Sequence, residues 1–277
     1  MMKDIHAGPV RKLLAIDTST GVLTVALSER KRIIAERQTH AERNHSIQLL
    51  PQIDAMLKEA GTAPSDLDAV AVGVGPGSYT GVRIGVTVAK TFAWSLGIPV
   101  VGVSSLEAMA LGGASPGGKD GLSASSHKST WYIPLLDARR KQAFCAVYAA
   151  DSTGWRTIVG DGIRIVEDWL GTVCELAAQE QGAVTPGRLL FVGEPEGFRE
   201  TIQAWSSSGG LTDIEAEVGI QESPMNAAAI AELAWRRLER GEQDDIHGLV
   251  PNYTQLAEAE VKLLQKQKQG GEPFGSA

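Results

Sequence analysis

Between an apolar run and an amphipathic stretch stands Gly73-Val74-Gly75-Pro76-Gly77-Ser78-Tyr79-Thr80-Gly81-Val82-Arg83. A strand-to-helix turn of this composition aims backbone N–H groups and the positive end of a helix dipole at one point, where an anion could sit. Its glycines allow tight turning and close approach of a neighbouring backbone. The spacing is neither the Walker GxxxxGK[ST] nor GxGxxG, because the loop has no lysine and Ser78 stands where a third glycine belongs. Two readings stay open. Gly75, Gly77, Ser78, Gly81 and Arg83 form a phosphate or nucleotide loop, or the glycines simply let the helix pack, and generic physics favours the second. Asp17-Thr18-Ser19-Thr20 poses the same choice: a carboxylate and three hydroxyls at a strand end could hold a metal-bound phosphate, or bond their own backbone in an ordinary turn.

His40 and His45 invite a metal reading that geometry opposes. Five residues apart on a helix, they would point about 140° away from each other, and the chain contains no HExxH, HxxxH or CxxC. No metal site is expected, and both histidines read as surface or capping residues. Arg83 reads as an anion ligand, an interface residue or an exposed structural arginine. Cys145 alternates with Ala143 and Val147 and reads as core.

The elements that must position these residues follow from period and punctuation. Residues 12–17, 23–28 and 32–38 read as three antiparallel strands. Helical spacing of Ile47, Leu50, Ile53 and Leu57 marks a helix over 44–60, stopped by Gly61. The run 69–74 is a doubly covered strand, 80–96 a helix apolar nearly all round, 100–103 a buried strand and 105–111 a short helix. Residues 112–130, rich in Gly and Ser, read as a flexible loop. The pattern then restarts, with strands at 132–136, 143–148, 155–159 and 189–192 and helices near 166–179 and 198–205. A long helix over 226–240 starts after Ser223-Pro224.

The resulting division is an N-terminal subdomain over 1–111, a loop at 112–130 and a second subdomain over 131–223. The helix at 224–241 packs back on the first subdomain, and 255–277 form a disordered tail. In the helix 80–96 the apolar residues exceed one stripe, so one face is expected to meet another subunit. Ile47, Leu50, Ile53, Leu57, Val82, Val86 and Phe92 are the interface candidates.

The 277 residues carry 26 Lys and Arg against 33 Asp and Glu, a net charge of −7. An acidic chain with 5% aromatic residues does not fit a stand-alone nucleic-acid clamp, which needs clustered positive charge. No apolar run reaches membrane-spanning length, the N-terminus lacks a signal-peptide core, and two separated cysteines fit a reduced compartment, so a cytoplasmic protein is expected.

Leu13-Leu14-Ala15-Ile16-Asp17-Thr18-Ser19-Thr20, Glu42-Arg43-Asn44-His45-Ser46 and the string from Gly75 to Gly85 together resemble the TsaB (YeaZ) family. Residues 97–106 and Leu136-Asp137-Ala138-Arg139-Arg140 continue the resemblance, which is strong from Leu13 to about Tyr148 and looser beyond. The resemblance implies an α/β, actin-like ATPase (ASKHA) fold of two ribonuclease-H-like βββαβα halves. It also implies a non-catalytic partner in adding threonylcarbamoyl to N6 of adenosine 37 in tRNAs reading ANN codons. In that pathway the related TsaD performs the transfer and TsaE is an ATPase.

The implied partners are TsaD as a heterodimer and TsaE, with a homodimer when alone, tRNA only through the complex, and no membrane. Two helices from each of two related subunits would pack as four. No intrinsic cofactor is implied; ATP or ADP would bind weakly or only in the complex. TsaD-like relatives carry HxxxH after the strand corresponding to 100–103, where this chain reads Ser104-Ser105-Leu106-Glu107-Ala108-Met109-Ala110. On that ground neither the transfer nor a peptidase activity is expected. The stretch 112–130 is longer and more Gly/Ser-rich than the family pattern, and Pro251-Asn252-Tyr253-Thr254 departs from the family's PxYLR-like ending. The competing class is a self-sufficient ASKHA-type ATPase or small-molecule kinase using Asp17 and the glycine loop.

Overall fold

The computed structural model describes residues 10–41, 44–114, 129–152, 154–180, 185–209 and 215–254. Its first half runs β1 (Lys12–Asp17), β2 (Val22–Glu29), β3 (Arg32–His40), α1 (His45–Glu59), β4 (Ala69–Gly73), α2 (Tyr79–Leu96), β5 (Val100–Val103) and α3 (Ser105–Ala114). The second runs β6 (Ser129–Asp137), β7 (Gln142–Asp151), β8 (Gly154–Ile165), α4 (Val166–Gln179), β9 (Pro186–Gly193), α5 (Arg199–Ser207) and β10 (Glu217–Glu222). Helix α6 (Ala227–Glu239) follows. The sheet orders are β3-β2-β1-β4-β5 and β8-β7-β6-β9-β10, so the halves repeat one topology. In each, a three-stranded antiparallel meander is extended by two parallel strands. This is the ASKHA fold of two ribonuclease-H-like halves.

Five layers result. Helices α1 and α2 cover one face of the first sheet, and α4 and α5 the outer face of the second. Between the sheets lie α3 and α6, and they are exchanged: α3 packs on β6, β7 and β9, whereas α6 packs on β1, β2, β4 and β5. Helix α6 is fastened by Thr24, whose Oγ1 accepts from Ala227 N at 3.0 Å, and by Trp235 Nε1 donating to Ser28 Oγ at 2.9 Å. This middle layer holds many small buried residues, among them Ala108, Ala110, Ala227, Ala231 and Ala234, beside larger ones such as Met109 and Ile230.

Several boundaries differ from the sequence reading. The stretch 112–130 is not all loop: 112–114 end α3 and 129–130 begin β6, while 115–128 lie outside the described residues, as does the tail 255–277. Helix α3 continues through Gly112-Gly113 because these positions are packed, and a Cβ at Gly113 would lie 2.9 Å from Val192 Cγ1. Strand β8 runs on past Val159 through Gly160 and Gly162, with a bulge. Strand β10 has no counterpart in the sequence reading, because an edge strand with charged ends and half-buried centre carries little alternation. Helix α6 is capped by Asn226, whose Oδ1 accepts from Ala229 N at 2.8 Å, rather than by Ser223-Pro224.

Candidate functional site

Strand β1 delivers Asp17 to the buried junction of β4, α2 and α3. The carboxylate is fully buried. Its Oδ1 accepts from Ser19 N and Ser19 Oγ, both at 2.7 Å, and its Oδ2 accepts from Ser105 Oγ at 2.7 Å. Ser105 also ties down the glycine loop, its N–H donating to Gly75 O at 2.9 Å and its Oγ accepting from Gly75 N at 3.1 Å. Thr18 Oγ1 donates to Gly81 O at 2.7 Å, and Ser78 N donates to Ser19 O at 2.7 Å. Ser78 caps α2, its Oγ accepting from Gly81 N at 3.3 Å. Thr18, Ser19 and Thr20 are all buried with Asp17.

The glycines make this knot fit. A Cβ at Gly77 would collide with Ser19 O, one at Gly81 with Thr18 O, and one at Gly73 with the Asp17 carboxylate. Gly75 adds a backbone requirement, with φ at +91°. The loop and the Asp17–Thr20 turn are therefore in direct contact, and no space separates them. Burial pushes the Asp17 carboxyl above its ordinary value, opposed by its bonds to Ser105 and Ser19 and by the nearby His45. His45 itself is buried at the start of α1 with Nε2 unpartnered, which corrects its reading as a surface or capping histidine; His40 is exposed.

Arg83 lies apart from these buried groups, on the exposed start of α2. Its Nε donates to Tyr253 OH at 2.7 Å, and its guanidinium stacks 3.9 Å from the Tyr79 ring centre. Tyr79 and Tyr253 rings are 5.5 Å apart. The segment Pro251-Asn252-Tyr253-Thr254 thus closes over the glycine loop, and a cavity of about 50 Å³ remains behind it, lined by Gly77, Val82, Phe144 and Tyr253 among others.

Comparison with known proteins agrees with this architecture along nearly the whole chain. A family model described as "TsaD: tRNA N6-adenosine threonylcarbamoyltransferase" matches residues 32–267. The "tRNA threonylcarbamoyladenosine biosynthesis protein TsaB" of Bacillus subtilis (strain 168) is 38% identical over 257 residues, 92% of this chain and 99% of that protein. The chain belongs to the TsaB (YeaZ) family. The Escherichia coli TsaB is 35% identical over 143 residues, covering 52% of this chain and 57% of that one. Among solved structures, YeaZ from Pseudomonas aeruginosa superposes with a TM-score of 0.66 at 26% identity, covering 88% of this chain and 99% of that one.

In this TsaB-family chain the seven interface candidates part company. Ile47 is 72% and Leu50 52% exposed on the outer side of α1, and Phe92 is partly buried. Ile53, Leu57, Val82 and Val86 instead face inward and form the core between the helices and the first sheet. These four present no apolar surface to a second subunit, because the stripe that makes a helix amphipathic is the one its own sheet covers first. Two exposed aromatics not among the candidates lie on α2, Tyr79 and Trp94, the latter 69% exposed.

The stretch Ser104–Ala110 of the TsaB-family chain opens α3 with hydrogen-bonding serines. Ser104 Oγ accepts from Glu107 N at 3.1 Å and donates to Asp161 Oδ1 at 2.9 Å. Among the described residues no group of three or more His, Cys, Asp or Glu is arranged to hold a metal ion.

Asp161 is the residue that sequence reasoning missed. It sits in the β8 bulge, where Gly160 and Asp161 together oppose Ala146, between the pairs Cys145–Gly162 and Val147–Val159. Arg164 braces that bulge, donating to Cys145 O at 2.8 Å and Gly160 O at 3.3 Å while stacking on Trp169. Asp161 accepts from Tyr148 OH at 3.0 Å and Asn252 Nδ2 at 2.9 Å, and burial raises its carboxyl above the ordinary value. The legible signal was Gly160-Asp161-Gly162 inside a strand, since glycine within a strand marks a bulge. Cys145 is core as read, with burial pushing its thiol up to about 11.

Proposed function

We propose that this chain is a non-catalytic subunit of the cytoplasmic machinery that adds threonylcarbamoyl to N6 of adenosine 37 in tRNAs reading ANN codons, binding and activating a TsaD transferase. TsaE belongs to the same assembly, and tRNA is met only through the complex. Family membership supports the pathway. The observation that carries the non-catalytic role is the Asp17 turn: both carboxylate oxygens are spent inside the protein, and the glycine loop rests on Ser19 and Thr18 with no gap for a phosphate. An ATPase or kinase of this fold needs that gap.

Docking is assigned to the outer sides of α1 and α2, through Ile47, Leu50 and Trp94, with Phe92 at the margin. A homodimer through the same helices forms when the partner is absent. The core-facing Ile53, Leu57, Val82 and Val86 contribute by fixing those helices.

Reconstitution of tRNA modification with purified TsaD and TsaE tests the role. Product is expected only when this chain is added; equal product without it overturns the proposal. Calorimetric titration of the isolated chain with ATP and magnesium tests the competing reading. Weak or undetectable binding is expected, whereas sub-micromolar binding, about −8 kcal/mol or better, with steady hydrolysis would favour a self-sufficient ATPase.

A further inference from the structure

We propose that residues 250–254 form a latch that holds the two halves of the molecule at one angle, with the Asn252–Asp161 hydrogen bond as its bolt. The root of the latch belongs to the first half. Asp244 bridges to β5, its N–H donating to Val100 O at 2.9 Å and its Oδ2 accepting from Gly102 N at 2.7 Å. Lys90 of α2 then clamps the following chain, Nζ donating to His247 O at 3.1 Å and Leu249 O at 2.9 Å. Asn252 N donates to Val74 O at 2.7 Å, directly after β4. Tyr253 finishes the attachment on Arg83 and Tyr79.

From this anchored segment one side chain reaches across. Asn252 Nδ2 donates to Asp161 Oδ2 at 2.9 Å, on β8 of the second half. The receiving carboxylate is prepared for it. The bulge turns it out of the strand, Arg164 braces the bulge, and Tyr148 fixes Oδ1 from its own side. Ser104, at the β5–α3 junction, donates to the same Oδ1 at 2.9 Å. A half-buried carboxylate with three donors, two of them from the first half, is a strong tie, because hydrogen bonds to charged acceptors exceed neutral ones.

The middle layer gives the halves something to slide on. Helix α3 packs on the second sheet and α6 on the first, and the two helices touch each other in a layer rich in buried alanines. Small sliding of packed helices is one way in which two halves joined by such a layer change their angle. The small cavity beside the latch is lined by residues of both halves, Gly77 of the first and Phe144 of the second. The latch is a property of this chain alone, whatever partner α1 and α2 meet.

Distances between spin labels at Thr87→Cys on α2 and Glu175→Cys on α4 test it, with Cys174→Ser in the background and an excess of unlabelled chain. The parent protein is expected to give one narrow distribution. Asn252→Ala removes the bolt, and Asn252→Asp, of the same size, sets a carboxylate against Asp161; each is expected to add a second, longer distance at unchanged circular dichroism. A single parental distance in both folded variants would overturn the proposal, whatever their melting temperatures.

Discussion

The two halves end their first strand in the same way and use it differently. At the end of β1, Asp17 Oδ1 accepts from the N–H two residues on, at 2.7 Å; at the end of β6, Asp137 Oδ1 accepts from Arg139 N at 2.7 Å. The backbone device is identical, an aspartate closing the turn that follows its strand. Around Asp17 the glycine loop, Ser105 and α2 close completely. Around Asp137 the turn is open, Arg139 lies 3.6 Å away in solvent, and Arg139, Arg140 and Lys141 all take positive φ. After β4 come the packed Gly77 and Gly81; after β9 comes Gly197, with nothing within 4 Å of where a Cβ would stand. A repeated motif therefore says where a turn lies, while burial decides whether it holds the fold together or is left on the surface.

The comparison breaks most readily at Asp17. Asp17→Ala leaves the Ser19 N–H and the Ser19 and Ser105 hydroxyls unpaired in a dry site and should cost about 3 kcal/mol or more, measured by urea unfolding. The glycines come next. Gly77→Ala and Gly81→Ala drive a methyl into backbone oxygen and should each cost about 1–3 kcal/mol, while Gly197→Ala should stay within about 0.5 kcal/mol. Equal effects at Gly77 and Gly197 would erase the distinction.

A pH series sharpens it further. The Asp17 carboxyl is raised above 3.8, chiefly by burial. The folded chain therefore holds that proton more tightly than the unfolded one. Stability from this group is full below the unfolded value and lost as pH rises through the folded value. The stability of the parent minus that of Asp17→Asn should accordingly fall as pH rises from about 4; a flat or rising difference contradicts the assignment. A small effect also belongs to the open turn, where Asp137→Ala should cost less than about 1 kcal/mol by the same unfolding assay.

Much of this was legible locally. Strands β1 and β5 and helix α4 match the sequence reading residue for residue, because apolar period and end signals lie within each segment. What escaped depends on residues distant in sequence. Gly112-Gly113 read as a loop until Val192 and Asn226 are seen against them. Gly160 and Gly162 read as a strand end until β7 is seen pairing across the bulge. Asp161 meets Asn252 from 91 residues away, a distance no periodicity spans. In α1 the helical period read from the sequence joined two faces, Ile53 and Leu57 serving the sheet while Ile47 and Leu50 lie well outside it, and in α2 Val82 and Val86 also serve their own sheet.

The claim at the centre of this account is that the chain works by docking and leaves chemistry to its partner. Ile47→Glu combined with Leu50→Glu tests it directly, since both side chains are exposed and their exchange should leave the melting temperature within a few degrees. Measured by co-purification with TsaD, the doubly substituted chain is predicted to lose the partner while remaining folded. Full retention of TsaD by that folded variant would contradict the account.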